Sequence, residues 1–302
     1  MKLKAYGKIN LFLNVVGKKD DYHLLEMLNS SVSVFDEVEI EKYDGIFCDS
    51  PFGEKDVAIK AAKAFIERYK TCGVKIKIKK NIPVGGGLGG SSADAAAVIF
   101  GMSKLYKKTL LFKDIASFAS VGADVPFMIN GGLAKVSGIG EEVKRLPYNL
   151  DLSGVIIKGN GSNLAKDVYE AYDNIGRTSS VAIDSIAKAA GNLGAYNEAK
   201  TAGMIEESNS DLRRKLMEYD LLEHTYNALS DAARLCDKDI ARAEESLNKL
   251  NAKAVLVSGS GSSVVGFFGE KKAEEVSKIL AEEFPYVSVF RTVPSGVEIT
   301  EE

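Results

Sequence analysis

The chain has 302 residues, room for one large or two ordinary domains with cores of their own, so it does not depend on disulfide or metal staples. Hydrophobic residues make up 45% and charged residues 27%, with 28 Gly and 6 Pro, which excludes collagen-like, coiled-coil and disordered chains. A formal charge of −3 leaves no global basic field to recruit nucleic acid or an anionic membrane.

Charges interrupt the first residues, Met1 to Lys8, before any apolar core forms, and no run of about 18 apolar residues follows. A cytoplasmic protein without a leader or a membrane span is expected. Apolar residues alternate over 8–16 (KINLFLNVV) and 32–42 (VSVFDEVEIEK), the period of half-buried strands, and the charged 18–24 (KKDDYHL) is predicted as a loop between them. Helical spacing over 56–70 predicts a helix, and strict alternation from Val74 to Lys79 predicts a strand with one apolar and one lysine face. Pro83 then leads into a glycine loop, and Ser91 to about Leu105 reads as an alanine-rich helix opened by Ser and Asp.

A helix around 113–120, the segment Gly122-Ala123-Asp124-Val125-Pro126 and strands within 133–146 follow, and the polar 147–152 marks a domain boundary before a strand at 154–157. The Ser-, Thr-, Asn- and Gly-rich 176–215 is expected to be a mobile helical subdomain. Beyond it the pattern predicts a helix over 216–250, strands at 254–257 and 264–268 around a glycine turn at 258–263, a charged helix at 271–283 and a last strand at 286–291. This order suggests an α+β half built on an antiparallel sheet. Three widely spaced cysteines (Cys48, Cys72, Cys236) and two histidines (His23, His224) argue against a disulfide framework or a structural zinc site.

Pro83-Val84-Gly85-Gly86-Gly87-Leu88-Gly89-Gly90-Ser91-Ser92 puts five glycines and two hydroxyls between a strand and a helix start. Backbone without Cβ atoms can approach a phosphate closely, and the helix N-terminus adds about half a positive charge, so a polyphosphate fits. No lysine follows the glycines, which excludes a Walker loop. Gly85-x-Gly87-x-x-Gly90 satisfies the dinucleotide fingerprint, yet the strand before it is half lysine and no second strand ends in an acid at the required distance. Protein-kinase H-R-D and D-F-G triplets are absent.

Phosphoryl transfer needs more than a cradle. Asp124, a lone acid among small and apolar neighbours, suits a general base or an ordinary helix-capping aspartate, and Lys8 suits a charge-stabilising cation or a solvated strand-end lysine. The Ser258-Gly259-Ser260-Gly261-Ser262-Ser263 turn suits a tight hairpin.

Taken in order, Lys8-Ile9-Asn10-Leu11-Phe12-Leu13, Asp21-Tyr22-His23, the glycine loop, Gly-Ala-Asp-Val-Pro and SGSGSS resemble the motifs of the GHMP small-molecule kinases, in particular the branch acting on a CDP-linked polyol of the non-mevalonate isoprenoid pathway. The resemblance implies a two-domain α+β GHMP kinase-like fold, with a ribosomal-protein-S5-like half over 1–150 and a ferredoxin-like α/β-plait half over 151–302. It implies ATP and Mg2+, with the ATP phosphates on Pro83, Gly85, Gly86, Gly87, Leu88, Gly89, Gly90, Ser91 and Ser92, and either serine meeting a phosphate or the metal; no metal ligand is otherwise assigned. Lys8 and Asp124 become catalytic, Asp124 as base. Asn10 touches the polyol or diphosphate, Tyr22 stacks on cytosine, His23 hydrogen-bonds it, and Gly259, Ser260 and Gly261 close over the diphosphate. A monomer or weak homodimer with a small-molecule substrate is implied.

Asp21 stands where that branch has glycine, Asp56-Val57 where it has Asn-Leu, 158–164 (KGNGSNL) where it has P-x-x-x-V-S-T, and Asn227-Ala228-Leu229-Ser230-Asp231 where it has N-D-[LF]-E. Another GHMP kinase, acting on mevalonate, homoserine or a sugar, and a non-catalytic nucleotide-binding relative are the alternatives; Tyr22-His23 favours a nucleotide-linked substrate.

Overall fold

A long hairpin organises the molecule. The computed structural model describes residues 1–50, 52, 56–147, 149–176, 188, 191–192, 218 and 220–302, so the expected subdomain over 176–215 falls almost wholly outside the described residues. Strands β1 (Lys2–Lys19) and β2 (Tyr22–Tyr43) pair antiparallel along nearly their whole length. The segment 18–24, expected as a loop, is instead the hairpin tip: Lys18 pairs with His23 and Lys19 with Tyr22, leaving a turn at Asp20 and Asp21. Its charges mark exposure, and exposed strand can continue wherever a neighbouring strand satisfies the backbone.

β4 (Gly73–Lys79) adds to β2 in the register Glu37↔Lys79, Glu39↔Lys77 and Glu41↔Lys75. The lysine face read from the sequence therefore meets a glutamate face, with Lys79–Glu37 and Lys75–Glu41 both at 2.8 Å. β3 (Ile46–Asp49) lies parallel on β4, while β5 (Leu133–Gly138) pairs with the early part of β2 and β6 (Glu142–Arg145) with β5. Strand 286–291 is not the last: β12 (Val297–Glu301) returns to pair antiparallel with the start of β1. Its glutamates and its place at the chain end disguise a strand whose apolar side is only Val297 and Ile299.

Helices α1 (Val57–Tyr69), α2 (Gly90–Leu105), α3 (Phe112–Ser117) and α4 (Val125–Asn130) complete the first half. Asp56 caps α1 by accepting from Ala58 N at 2.8 Å, a task that aspartate and asparagine share. Helix α2 is buried almost all round, from Ala93 to Ser103, and its small residues let it lie against β1, β2, α1 and α4. Its start differs from expectation: the cap is Gly89 in the left-handed conformation, and no side chain caps it.

The second half holds β7 (Ser153–Lys158), α5 (Ala165–Ile175), β8 (Tyr226–Asn227), α6 (Ser230–Cys236), α7 (Asp239–Lys249), β9 (Val255–Val257), β10 (Val264–Phe268), α8 (Glu270–Leu280) and β11 (Tyr286–Arg291). Its sheet, in the order β11-β7-β10-β9, is antiparallel throughout and packs against α7 and α8, in agreement with the expected α+β class. The single helix expected over 216–250 is broken. β8 lies parallel on β1 (Phe12↔Tyr226, Leu13↔Asn227), and Asp237 is extended between α6 and α7. Asn227 explains the first break: its Nδ2 donates to the carbonyls of Val257 and Gly259, both at 2.8 Å, and its Oδ1 accepts from Leu229 N, bonds a helical asparagine could not all make.

Candidate active site

The glycine loop is held by its carbonyls. Those of Gly85 and Gly86 accept from Ser262 N (3.1 Å) and Ser263 N (3.2 Å), that of Gly87 from Ser258 Oγ (3.1 Å), and that of Leu88 from Lys8 N (3.0 Å). Gly85, Gly87 and Gly89 adopt φ of 65°, 72° and 72°. Such alternation turns successive amides to one side, and the opening amides of α2 have no intrahelical acceptor. Apart from the Gly86 amide, which donates to Pro83 O at 3.3 Å, the result is a concave row of donors at a positive helix end. Gly87 admits nothing larger, since a Cβ there would stand 2.0 Å from the Ser258 carbonyl oxygen. The two glycine turns of the sequence are thus packed against each other. Asn163 Nδ2 (to Ser260 O, 3.0 Å) and the bond from Ser262 Oγ to Gly161 O (3.0 Å) brace the second turn from the 158–164 segment.

Lys8 is 4% exposed. Its Nζ donates to Asn10 Oδ1 at 2.7 Å and lies 3.8 Å from Asp124 Oδ2. Asn10 Nδ2 in turn donates to Asn29 Oδ1 at 2.7 Å, so a buried amide chain across the β1–β2 pair fixes the ammonium. Asp124 occupies the cap position of α4, but its carboxylate caps nothing and is turned to Lys8. The helix-capping alternative therefore describes its backbone and not its side chain. Ser92 Oγ sits 3.3 Å from where a Cβ on Gly122 would lie, facing the Asp124 segment, whereas Ser91 is exposed.

A cavity of about 680 Å3 connects these groups to the hairpin tip. Lys8, Asp124, Gly87, Gly89, Gly259 and Ser260 line one end; Lys18, Asp21, Tyr22, His23, Tyr169 and Asp173 line the other; Leu13, Leu25 and Met27 form apolar wall between them. His23 stacks on Tyr169 with ring centroids 4.6 Å apart and 17° between planes, and its Nε2 is 2.7 Å from Asp173 Oδ1. Lys18 Nζ donates to Asp173 Oδ2 at 2.9 Å. The hydrogen bonds from His23 and Lys18 hold the Asp173 carboxyl below the usual carboxylate range. Burial, and secondarily the field of Asp124, pushes the Tyr169 hydroxyl well above its ordinary value, so the ring stays neutral.

Of the residues singled out in the sequence, Lys8, Asp124, Tyr22, His23, Gly87, Gly89, Gly259 and Ser260 meet in this cavity. Asn10, expected against the substrate, is fully buried behind Lys8 with its amide already engaged. Gly261 faces Ile240, Val257 and Asn163 rather than the cavity. Tyr169, Asp173 and Lys18 were not anticipated; a helical apolar stripe over 165–175 was the available signal, though it says nothing of which face meets the hairpin.

A donor row for phosphates, a fixed ammonium and an uncapped carboxylate are the parts needed to move a phosphoryl group onto a hydroxyl. Comparison with known proteins gives the same class. The GHMP kinases N terminal domain matches residues 56–132 and the GHMP kinases C terminal domain residues 204–285. The chain is 33% identical to a 4-diphosphocytidyl-2-C-methyl-D-erythritol kinase of Desulfitobacterium hafniense (strain Y51), over 98% of this chain and 97% of that protein. With the kinase of that name from Clostridium botulinum (strain Alaska E43 / Type E3) it shares 34% identity over 97% and 100% of the two chains. A crystal structure of 4-(cytidine 5'-diphospho)-2C-methyl-D-erythritol kinase superposes with a TM-score of 0.75 at 26% identity, covering 97% of this chain and 99% of that one. The chain belongs to the GHMP kinases, which are ATP-dependent phosphotransferases, and within them to the 4-diphosphocytidyl-2-C-methyl-D-erythritol kinase family.

Proposed function

We propose that the chain transfers the terminal phosphoryl group of ATP to the 2-hydroxyl of 4-diphosphocytidyl-2-C-methyl-D-erythritol. The observation that carries this is the meeting of Lys8 and Asp124 at 3.8 Å beside Gly87 and Gly89, at one end of a cavity whose far end presents Tyr22, His23 and Tyr169. The amides of the 85–92 loop hold the ATP phosphates. Asp124 accepts the proton of the attacking hydroxyl as its oxygen bonds to the γ-phosphorus and ADP leaves. Lys8, unable to swing away from Asn10, stabilises the charge that develops on the transferring group. The three aromatic groups take the cytosine, and Gly259 and Ser260 lie over the diphosphate.

Among the described residues no group of three or more His, Cys, Asp or Glu is arranged to hold a metal ion. Mg2+ needs no such group of three, because it keeps several waters and is usually bound by one or two carboxylates together with substrate phosphates. Ser92, whose Oγ faces Gly122, is the side chain that would hold it, and a bound ion would neutralise phosphate charge. A cytoplasmic enzyme acting as a monomer or weak homodimer is part of this proposal; no described helix is long and apolar enough to cross a membrane.

The test is incubation with ATP, Mg2+ and a panel of acceptors, read by mass spectrometry. ADP and a singly phosphorylated product from the CDP-linked polyol, with inhibition by CDP, are expected. A product only from mevalonate, homoserine or a sugar, or ATP bound with no product from any acceptor, would overturn the proposal.

A further inference from the structure

Beneath the glycine loop, outside the cavity, three charged side chains meet. Lys80 Nζ bonds to a carboxylate oxygen of Asp36 and, at 2.6 Å, to Asp94 Oδ2. Asp36 lies on β2 and Asp94 in the second turn of α2; both are buried, and the Lys80 side chain is 14% exposed. Asp36 Oδ1 also accepts the amides of Asn81 (2.6 Å) and Ile82 (2.8 Å), the two residues before Pro83. The cluster touches the loop itself. A Cβ on Gly90 would lie 3.0 Å from Ile82 Cγ2 and 3.4 Å from Lys80 Nζ.

We propose that Asp36, Lys80 and Asp94 are positioning residues for ATP, tying both ends of the phosphate loop to β2 so that its amides converge. The entry to the loop hangs on Asp36 through two backbone bonds, and its exit hangs on Lys80 through Asp94. Neither carboxylate lines the cavity, so the cluster acts on ATP only through the loop. This rests on the reading of that loop as the ATP-phosphate site.

Asp94 Oδ2 takes the Lys80 bond, while its Oδ1 is buried without a hydrogen-bond partner among the described residues. The carboxyl is thus held to the cluster through Lys80, and a side chain at this position that cannot bond Lys80 releases the exit of the loop.

The experiment is calorimetric titration of the full chain with MgATP, with steady-state kinetics and thermal melts on the same samples. Asp94→Ala, which cuts the exit tie, is expected to bind ATP about tenfold more weakly, with turnover at saturating ATP little changed. Asp94→Asn, which keeps an oxygen for Lys80, is expected to restore binding close to that of wild type. A folded Asp94→Ala that binds ATP like wild type, or a folded Asp94→Asn that binds no better than the alanine variant, would overturn the tether; where Asp94→Ala does not fold, Lys80→Met makes the same comparison, and wild-type affinity in that folded variant would overturn it. Wild type that binds no ATP would overturn the reading of the loop, and the tether with it.

Discussion

The two ends of the cavity are built by different rules. At the phosphoryl end, Lys8, its partner Asn10 and the carbonyls of residues 85–88 are each held by bonds reaching across strands, helices and both halves of the chain. At the proposed nucleoside end, Tyr22 is 63% exposed on a hairpin tip, and His23 is steadied by one helix, through Tyr169 and Asp173. Transfer of a phosphoryl group requires a donor and an acceptor aligned to a fraction of an ångström, whereas a flat ring is recognised by stacking that tolerates sliding. Rigidity is concentrated where displacement is most harmful.

The contrast can be broken at either end. Asp124→Asn keeps the shape of the site and removes the proposed base, so kcat should fall about 10²- to 10⁴-fold with ATP affinity nearly unchanged; steady-state kinetics with calorimetry checks this, and a similar loss in both would merge the two ends. Tyr169→Ala removes a stacking face worth about 1–3 kcal/mol, so KM for the cytidine substrate should rise about 5- to 150-fold while kcat moves little. Asp173→Asn loosens His23 through a partly exposed contact, and CDP inhibition should weaken only about two- to fivefold at neutral pH. Because the native Asp173 carboxyl is depressed, its pairing stabilises the fold above the ordinary carboxylate range and is lost as pH falls through the lowered value. Acid melts of wild type and Asp173→Asn should therefore converge. Glu37→Gln, on the exposed face of the β2–β4 pair, should leave every kinetic constant in place and shift the melting temperature slightly.

Local pattern carried much of this structure. β4 and α1 follow from periods of two and 3.6, and α2 from its alanine run after the glycine loop. The resemblance carried by five short motifs located Lys8, Asp124 and both glycine turns. What stayed hidden depends on distant partners. His23 and Asp173 are separated by 150 positions, and nothing near either announces the other. Lys80 reads as one more lysine just past an alternating strand, and Asp94 as part of a helix start, until Asp36 brings them together. Asn227 falls inside a stretch whose spacing reads as helix, while its amide is consumed by carbonyls 30 and 32 residues away.

The pairing of β12 with β1 has a consequence for biosynthesis. The strand carrying Lys8 is made long before the neighbour that covers its early residues: Lys2 faces Glu301, Ala5 faces Val297, and Tyr6 N donates to Gly296 O at 2.9 Å. As the ribosome emits the chain from its N-terminus, that edge of the first sheet stays open until residues 297–301 have emerged, and the nascent protein is unsheltered there in the meantime.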